Sequence, residues 1–152
     1  MYMNMALAQA QKAYEEGEVP IGAVIVRDGE VLGEGRNMTE QLHDSTAHAE
    51  MMALKQAFSK VGGGRLNGAA MYVTCEPCAM CAGALVWSKI ERLYIGAMDP
   101  KAGGCGSVFS IPTEKRLNHQ LKVETGLLEE ECGALLSEFF KELRARGKRW
   151  KK

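Results

Sequence analysis

The sequence lacks long hydrophobic runs, and it also lacks an excess of charge of either sign. No apolar stretch approaches the roughly 20 residues that a membrane-spanning helix requires, so we expect no membrane segment. Lys and Arg together number 19, and so do Asp and Glu, which leaves a formal net charge of +0. Net charge therefore neither favours nor excludes a nucleic-acid partner, and a face that binds nucleic acid must be a local patch.

A linker, an internal repeat and a low-complexity tract are absent as well. The 152 residues suffice for one domain with a single core, so we predict one domain over residues 1–152. The N-terminal segment has no basic region, and Gln9, Gln11 and Lys12 stand where a signal peptide would be apolar. We therefore expect a cytoplasmic protein, in which a C-x-x-C motif is more typical of metal binding or redox chemistry than of disulfides.

Hydrophobic periodicity predicts helices that alternate with strands. The predicted helices cover residues 3–16, 47–60, 78–87 and 129–146, and the predicted strands cover residues 21–26, 31–35, 70–74, 92–95 and a short segment near Val123. This order favours an α/β fold of three layers, α/β/α, with helices on both faces of a central mixed sheet of about five strands.

Two short motifs carry the chemistry: His48-Ala49-Glu50 and Pro77-Cys78-Ala79-Met80-Cys81. One imidazole and two thiolates are ligands that zinc prefers, and three protein ligands leave the fourth tetrahedral position open for water, as in catalytic sites. We therefore predict that His48, Cys78 and Cys81 bind zinc. Glu50 would then accept a proton from the water, since zinc lowers the pKa of bound water to about 7.

Both motifs fall at predicted helix N-termini, where Thr46 can cap one helix and Pro77 suits the first position of the other. The unpaired backbone N–H groups and the helix dipole favour negative charge there. The same field lowers the pKa of the Cys78 and Cys81 thiols. General acid–base assistance by Glu50 would be worth roughly 10²–10⁴-fold in rate.

Cys75 offers an alternative, because Cys75-Glu76-Pro77-Cys78 is a second C-x-x-C that overlaps the first. With Cys75 as a fourth ligand the zinc site would be closed and structural, and Glu50 would be a surface residue. Cysteine outside a disulfide is commonly a small buried hydrophobe, and we favour that interpretation. His43 is a weaker candidate ligand, because its loop could turn it in any direction.

At these residues the chain resembles the zinc-dependent nucleoside and nucleobase deaminases, whose signature is H-x-E…P-C-x-x-C. Further segments are similar to the bacterial tRNA-specific adenosine deaminases, and together they span nearly the whole chain: residues 17–24, 37, 46–50, 76–84, 99–107, 118–119 and 139–140. The zinc motifs are typical of the superfamily, whereas the D-P-K-x-G-x-x-G-S loop and the Phe139-Phe140 pair are typical of the tRNA enzymes. Cys75 and Ser45 depart from the Leu and Pro that are frequent in this family.

The resemblance implies the cytidine-deaminase fold, one zinc ion per subunit and a homodimer that acts on the anticodon stem-loop of a tRNA. The implied reaction is hydrolytic deamination of adenosine to inosine at the wobble position. The residues carried over are His48, Cys78 and Cys81 as zinc ligands, Glu50 as the proton shuttle, Asn37 and the Ala49 N–H at the target nucleotide, Asp99, Lys101 and Ser107 on an RNA-facing loop, and Phe140 and Arg144 at the anticodon loop.

The residues themselves leave other interpretations of the RNA-facing segments open. Residues 99–107 could be a flexible surface loop, although their glycines allow a close approach of a ligand. Residues 141–152 concentrate positive charge as phosphate binding requires, but such a run is often a solvated helix end. Phe139, Phe140 and Trp150 could stack on bases, although at least one of the two phenylalanines is expected in the core.

Two other functions remain possible from the sequence. A free nucleobase deaminase acting on guanine or cytosine would share every zinc residue, and only the loop 99–107 and the basic C-terminal end argue against it. A non-catalytic, zinc-stabilised RNA-binding protein would have no use for Glu50, whose carboxylate is costly to desolvate beside a metal pocket.

Overall fold

The computed structural model describes residues 1–147, and its helices and strands follow the predicted order. They are α1 (Tyr2–Glu15), β1 (Gly22–Arg27), β2 (Glu30–Arg36), α2 (Ala49–Val61), β3 (Ala70–Cys75), α3 (Ala79–Trp87), β4 (Arg92–Ala97), β5 (Lys122–Thr125) and α4 (Glu129–Ala145), with a short 3₁₀ helix at Ile111–Thr113. Most boundaries lie within two residues of the predicted ones. Within the described residues, no helix is both long enough and apolar enough to cross a membrane.

The five strands form one mixed sheet in the order β2-β1-β3-β4-β5, which confirms the predicted sheet. β1 is antiparallel to both β2 and β3, whereas β3, β4 and β5 run parallel. The β1–β2 hairpin turns at Asp28 and Gly29, with φ values of 51° and 77°. This left-handed pair matches the turn chemistry expected of an Asp-Gly hairpin.

Helices cover both faces of the sheet, and glycines bring them close. A Cβ at Gly35 in β2 would overlap the backbone of α2, and a Cβ at Gly22 in β1 would overlap the backbone of α1. Gly22 and Gly35 belong to opposite faces, because the sheet pairs Gly35 with Ala23 rather than with Gly22. The layers are therefore α/β/α, as predicted.

Alternate residues of β1 show how the core divides between these faces. Ala23 and Ile25 pack in the larger cluster with residues of α2 and α3, whereas Val24 and Val26 pack in a smaller cluster with residues of α1. The alternation follows from the period of two in a strand. β1 is apolar on both faces because it is covered on both.

The parallel pair β3–β4 determines where loops meet. Cys75 at the end of β3 lies opposite Ala97 at the end of β4. The segment that begins at Glu76 therefore leaves the sheet beside the loop that begins at Met98. This edge, beyond the carboxyl ends of parallel strands, is where open α/β sheets usually bind ligands.

The start of α2 differs from the prediction. The helix begins at Ala49 with His48 as its N-cap, and Thr46 does not cap it. Instead, the Thr46 backbone N–H and hydroxyl both donate to Asp44 Oδ1, at 2.8 and 2.7 Å. The nearby Asp44 carboxylate is a local acceptor for this turn, which shifts the helix start by two residues.

Candidate metal centre

His48 and Cys78 occupy the same structural position in two different helices. Each is the N-cap residue of its helix, His48 of α2 and Cys78 of α3, with extended backbone at ψ 156° and 177°. Neither side chain makes a capping hydrogen bond. Cys81 lies three residues after Cys78, one turn along α3, so both sulfurs lie on the same side of that helix.

The three side chains converge. His48 Nδ1 lies 3.6 Å from Cys78 Sγ and 3.6 Å from Cys81 Sγ. All three ligand atoms lie within 4.8 Å of one another. Tetrahedral zinc, with bonds of about 2.0–2.1 Å to nitrogen and about 2.3 Å to sulfur, would separate such atoms by roughly 3.6 Å. The His48–Cys78–Cys81 group therefore fits one zinc ion per chain.

The environment of Cys78 favours the thiolate that a metal requires. Hydrogen bonding from Cys81 is the largest influence, and with a further contribution from His48 it lowers the pKa of Cys78 to about 3 despite burial. A metal ligand must be deprotonated, so this arrangement prepares the site for a divalent cation.

Neither of the two other candidate ligands joins the group. Among residues 1–147, the atoms that could hold a metal together are those of His48, Cys78 and Cys81. Cys75 is 2% exposed and packs in the larger core cluster, as a buried small residue. His43 is exposed and has a φ of 49°. The group accordingly offers three candidate protein ligands, the number typical of catalytic zinc.

Glu50 lies in the first turn of α2 and is 3% exposed. Burial is the main cause that raises the pKa of Cys105, and the charges of Glu76, Glu50 and Cys78 raise it further. Glu50 and the candidate ligand Cys78 both act on the Cys105 thiol, and Glu50 lies two residues after His48 in the chain.

A cleft of about 640 Å³ opens onto the metal group. Its lining includes His48, Ala49 and Cys78 at the metal, and Val19, Ile21 and Asn37 beside it. Residues of the loop before α2 complete the lining: Thr39, Glu40, His43, Asp44 and Ser45, together with Met80 of α3. Of the predicted site residues, the structure thus brings Asn37, His48, Ala49 and Cys78 into one pocket, which has the volume of a small-molecule site.

Glu18, which precedes the lining residue Val19, has a role at the cleft that sequence reasoning missed. It is fully buried and accepts hydrogen bonds from the backbone N–H groups of Glu40 at 3.2 Å and Gln41 at 2.8 Å. Its carboxylate thereby holds the loop that lines the cleft. The signal in the sequence was an acidic residue beside the apolar segment Val19-Pro20-Ile21, which predicts a buried carboxylate that needs partners.

The loop 99–107 is not a free surface loop, because Gly103, Gly104 and Cys105 are buried. Its backbone is held by Glu76, a second buried carboxylate whose role sequence reasoning missed. Burial raises the pKa of Glu76, but hydrogen bonds from Ser107, Asp99 and Cys105 outweigh it and hold that pKa below the usual value.

The three predicted RNA-facing residues all lie on this loop. Asp99 Oδ1 accepts hydrogen bonds from the backbone N–H groups of Lys101 at 3.1 Å and Ala102 at 3.3 Å. The Ser107 hydroxyl donates to Glu76, and the Lys101 side chain is exposed. The lining of the cleft, as described for residues 1–147, includes none of the three.

On α4, Phe139 and Phe140 have different environments. Phe139 is 2% exposed, and its ring centroid lies 5.6 Å from that of Tyr14, which confirms that one phenylalanine belongs to the core. Phe140 is half-buried and Arg144 is exposed. Trp150 and the basic residues of 148–152 lie outside the described residues.

Comparisons with known proteins agree with this site. Residues 1–97 match the family model of the cytidine and deoxycytidylate deaminase zinc-binding region. The tRNA-specific adenosine deaminase of Bacillus subtilis (strain 168) is 50% identical over 148 residues, which cover 97% of this chain and 92% of that protein.

Solved structures show the same fold. One, from a study of A-to-I editing by tRNA:A34 deaminases at the wobble position of transfer RNA, has a TM-score of 0.86 and 44% identity and covers 89% of this chain and 98% of its own. The guanine deaminase of Nitrosomonas europaea has a TM-score of 0.80 at 24% identity, covers 91% of this chain and 82% of its own, and shares the fold alone. The chain therefore belongs to the zinc-binding cytidine and deoxycytidylate deaminase family, among the tRNA-specific adenosine deaminases.

Proposed function

We propose that this chain catalyses the hydrolytic deamination of adenosine to inosine at the wobble position of a tRNA anticodon. The observation that carries the proposal is the three-ligand His48–Cys78–Cys81 group at an open cleft, with buried Glu50 in the helix turn that directly follows His48. The relatives named for this reaction support the choice of substrate. The balance is adenosine and water giving inosine and ammonia.

His48, Cys78 and Cys81 would hold the zinc ion, which when bound supplies the Lewis acidity that lowers the pKa of water from about 15.7 to about 7. Two of the ligands are helix N-caps and the third, Cys81, lies in the first turn of α3, so their positions do not depend on a flexible loop. A rigid ligand set preserves an open position for the substrate and for water.

Glu50 would move the protons. Its carboxylate would take a proton from water, deliver it to a ring nitrogen of the purine, and assist the departure of ammonia. Burial favours this role, because few solvent molecules compete with the substrate for the proton that the carboxylate carries. Glu50 directly follows Ala49, the proposed nucleotide contact, in the first turn of α2.

Asn37 and Ala49 would orient the nucleotide. Ala49 is the first residue of α2, so its backbone N–H has no acceptor within the helix and can donate to the base. Asn37 is 6% exposed, follows the end of β2 and lines the cleft, where its amide can hydrogen-bond the ribose or base. Both groups are placed by regular structure.

Contacts to the rest of the RNA would come from two segments outside the cleft. Asp99, Lys101 and Ser107 lie on the loop held by Glu76, and Phe140 and Arg144 lie on the last turns of α4. An exposed Lys101 and Arg144 can pair with phosphates, and the half-buried Phe140 ring can stack on a base. A single-stranded anticodon loop suits this arrangement, since its nucleotide can be extruded at low cost.

We also propose that the enzyme is a homodimer. Met80, Gly83 and Trp87 share one face of α3, and the Trp87 side chain is 80% exposed. Trp87 and Leu117 line a second groove of about 430 Å³ beside the 3₁₀ helix. An exposed tryptophan at an apolar groove is typical of a protein interface.

We further propose that residues 1–152 form one deaminase domain located in the cytoplasm. The family match ends at residue 97, but β5 completes the sheet and α4 packs on β4 through Gly96 and Cys132. None of the five cysteines, all within residues 1–147, forms a disulfide, and a tRNA substrate is used where translation takes place.

The experiment offers the zinc-loaded protein three substrates: an anticodon stem-loop with adenosine at the wobble position, free guanine and free cytosine. Inosine in the RNA, with equimolar ammonia, is the expected result. Ammonia from a free base alone would identify a nucleobase deaminase instead. No ammonia from a folded, zinc-replete sample would indicate the non-catalytic RNA-binding protein. A stem-loop with guanosine at the wobble position is the matched control for release of ammonia from elsewhere in the RNA.

A further inference from the structure

Four hydrogen-bond donors converge on the single carboxylate of Glu76, which is 0% exposed. Oε1 accepts from the backbone N–H of Asp99 at 2.9 Å and from the Ser107 hydroxyl. Oε2 accepts from the backbone N–H groups of Cys105 and Ser107, both at 3.0 Å. A buried carboxylate with this many donors is a strong and directional anchor, because hydrogen bonds to a charged acceptor exceed neutral ones in strength.

The same loop is joined directly to the metal-binding segment. The Gly104 backbone N–H donates to the Pro77 carbonyl at 2.7 Å, and Cys78 and Gly103 form an isolated antiparallel bridge. Gly103 is packed so closely that a Cβ there would overlap the Glu76 carboxylate. The loop, the carboxylate and the start of α3 therefore form one packed unit.

Asp99 connects the Glu76 carboxylate to the exposed part of the loop. Glu76 holds the Asp99 backbone, and Asp99 Oδ1 in turn holds the backbone of Lys101 and Ala102 in a tight turn. The position of Lys101 relative to Cys78 is thus determined by a continuous set of hydrogen bonds. No part of that set enters the cleft as described for residues 1–147.

We propose that Glu76 is a positioning residue for RNA, which fixes the loop 99–107 at one distance from the metal group so that loop contacts and the target base engage together. The proposal rests on the proposed function, because Asp99 and Lys101 meet RNA only in that reaction. Contacts far from the reacting base bind ground state and transition state alike, so their loss raises KM and leaves kcat nearly unchanged.

The variant Glu76→Gln tests this with little change in shape. Its amide has one acceptor oxygen, and its NH₂ group would face a backbone N–H that already needs an acceptor. Whichever way the amide turns, at least one of the donors on Asp99, Cys105 and Ser107 loses its partner. We expect KM for the anticodon stem-loop to rise roughly tenfold, with kcat within about threefold of wild type and zinc content unchanged.

Thr74→Val is the matched control. The buried Thr74 hydroxyl accepts the Gly22 backbone N–H at 3.1 Å, so its removal also leaves one buried donor without an acceptor. We expect reduced thermal stability and an unchanged KM. Gly103→Ala is the second test variant: it keeps the carboxylate but displaces the loop, and it should raise KM as Glu76→Gln does.

Hydrogen exchange gives a readout that does not depend on activity. The amides of Asp99, Cys105 and Ser107 should exchange at least about tenfold faster in Glu76→Gln than in Thr74→Val.

An unchanged KM with faster exchange, an equal rise of KM in Thr74→Val, or loss of zinc from Glu76→Gln would each overturn the proposal. Should Glu76→Gln fail to fold, an unchanged KM in Gly103→Ala would overturn it. Wild-type protein that makes no inosine would instead refute the proposed function, before any variant is compared.

Discussion

His48 and Cys78 owe their position to the backbone rather than to their own interactions. Each residue is an N-cap with extended backbone, and the first turn of its helix begins at the next residue. An N-cap side chain normally accepts a hydrogen bond from its own helix, and these two do not. A Ser or Asp N-cap would stabilise each helix by roughly 0.5–2 kcal/mol. His48 and Cys78 do not provide this stabilisation, and instead place a candidate metal ligand at each helix start.

Glu50 allows the sharpest test at the level of one residue. We expect Glu50→Ala to keep one zinc per chain and to lose at least about a hundredfold in turnover, since general acid–base assistance is typically worth 10²–10⁴-fold. The measurements are single-turnover inosine formation and zinc content by mass spectrometry. Glu30→Ala, which removes an exposed carboxylate, should retain wild-type activity. Retention of a tenth of the activity in Glu50→Ala would rule out the proton-shuttle role.

Cys75 and Cys81 should respond differently to the same substitution. Cys75→Ala is expected to leave zinc stoichiometry unchanged and to cost about 1 kcal/mol of unfolding free energy, because Cys75 is a small residue of the core. Cys81→Ala removes a ligand and should abolish stoichiometric zinc binding. Zinc titration of the two proteins, with denaturant unfolding, decides the matter; loss of metal from Cys75→Ala would show that the site is closed.

At the level of elements, the metal ligands depend on how closely α2 approaches β2. Gly35 lies directly beneath the first turn of α2, where a Cβ would overlap the backbone of Ala49 and Ala53. The helix can rest on the strand only because no side chain intervenes. A displaced α2 would carry His48 and Glu50 away from α3, which bears the two sulfurs.

Gly35→Ala should therefore affect both stability and metal binding. We expect a loss of about 1–3 kcal/mol in unfolding free energy, which is the usual cost of overpacking, together with weaker zinc binding. Gly63→Ala is the control, since a Cβ there meets nothing within 4 Å and its φ is not positive. Denaturant titrations with and without a zinc chelator would measure both effects. Equal zinc affinity in the two variants would contradict the dependence of the site on this contact.

For the whole molecule, the predicted RNA contacts lie on the loop 99–107 and on α4, and charge at these contacts should control affinity. Leu143 on α4 is 2% exposed, so α4 itself belongs to the fold and a truncation must spare it. Ending the chain after Gly147 removes four basic residues, Lys148, Arg149, Lys151 and Lys152, and leaves the helix whole.

This truncation should weaken binding of the stem-loop and reduce its salt dependence. Each lost phosphate contact lowers the slope of log K against log salt by about 0.7 for single-stranded nucleic acid. Affinity measured at a series of salt concentrations gives the slope directly. Lys12→Gln, on the exposed side of α1, should leave it unchanged. A truncated protein with the wild-type slope would show that the basic end does not meet phosphates.

Assembly is the second property of the whole molecule that can be tested. Trp87→Asp places a charge in the apolar groove of α3 and should convert a dimer into a monomer in sedimentation velocity experiments. Leu127→Asp is the matched control, because Leu127 is 41% exposed and does not line that groove. A wild-type protein that sediments as a monomer at micromolar concentration would contradict the proposed homodimer.

The sequence by itself determined the order of elements and the three candidate zinc ligands. These follow from local patterns: periods of 2 and 3.6 residues, Gly and Pro at boundaries, and ligand types at short spacing near helix starts. Glu50 was identifiable for the same reason, since it lies two residues from His48 in the same motif.

Only the tertiary structure decided which residues meet across the sheet edge. Cys75 is excluded from the metal group because it lies within β3, opposite Ala97, and packs in the core. Glu18 and Glu76 hold the two loops around the site through donors at least 22 residues away in sequence, a pairing that no local pattern reveals. The parallel register of β3 and β4 brings Glu76 to the loop 99–107, and register depends on the packing of the whole sheet.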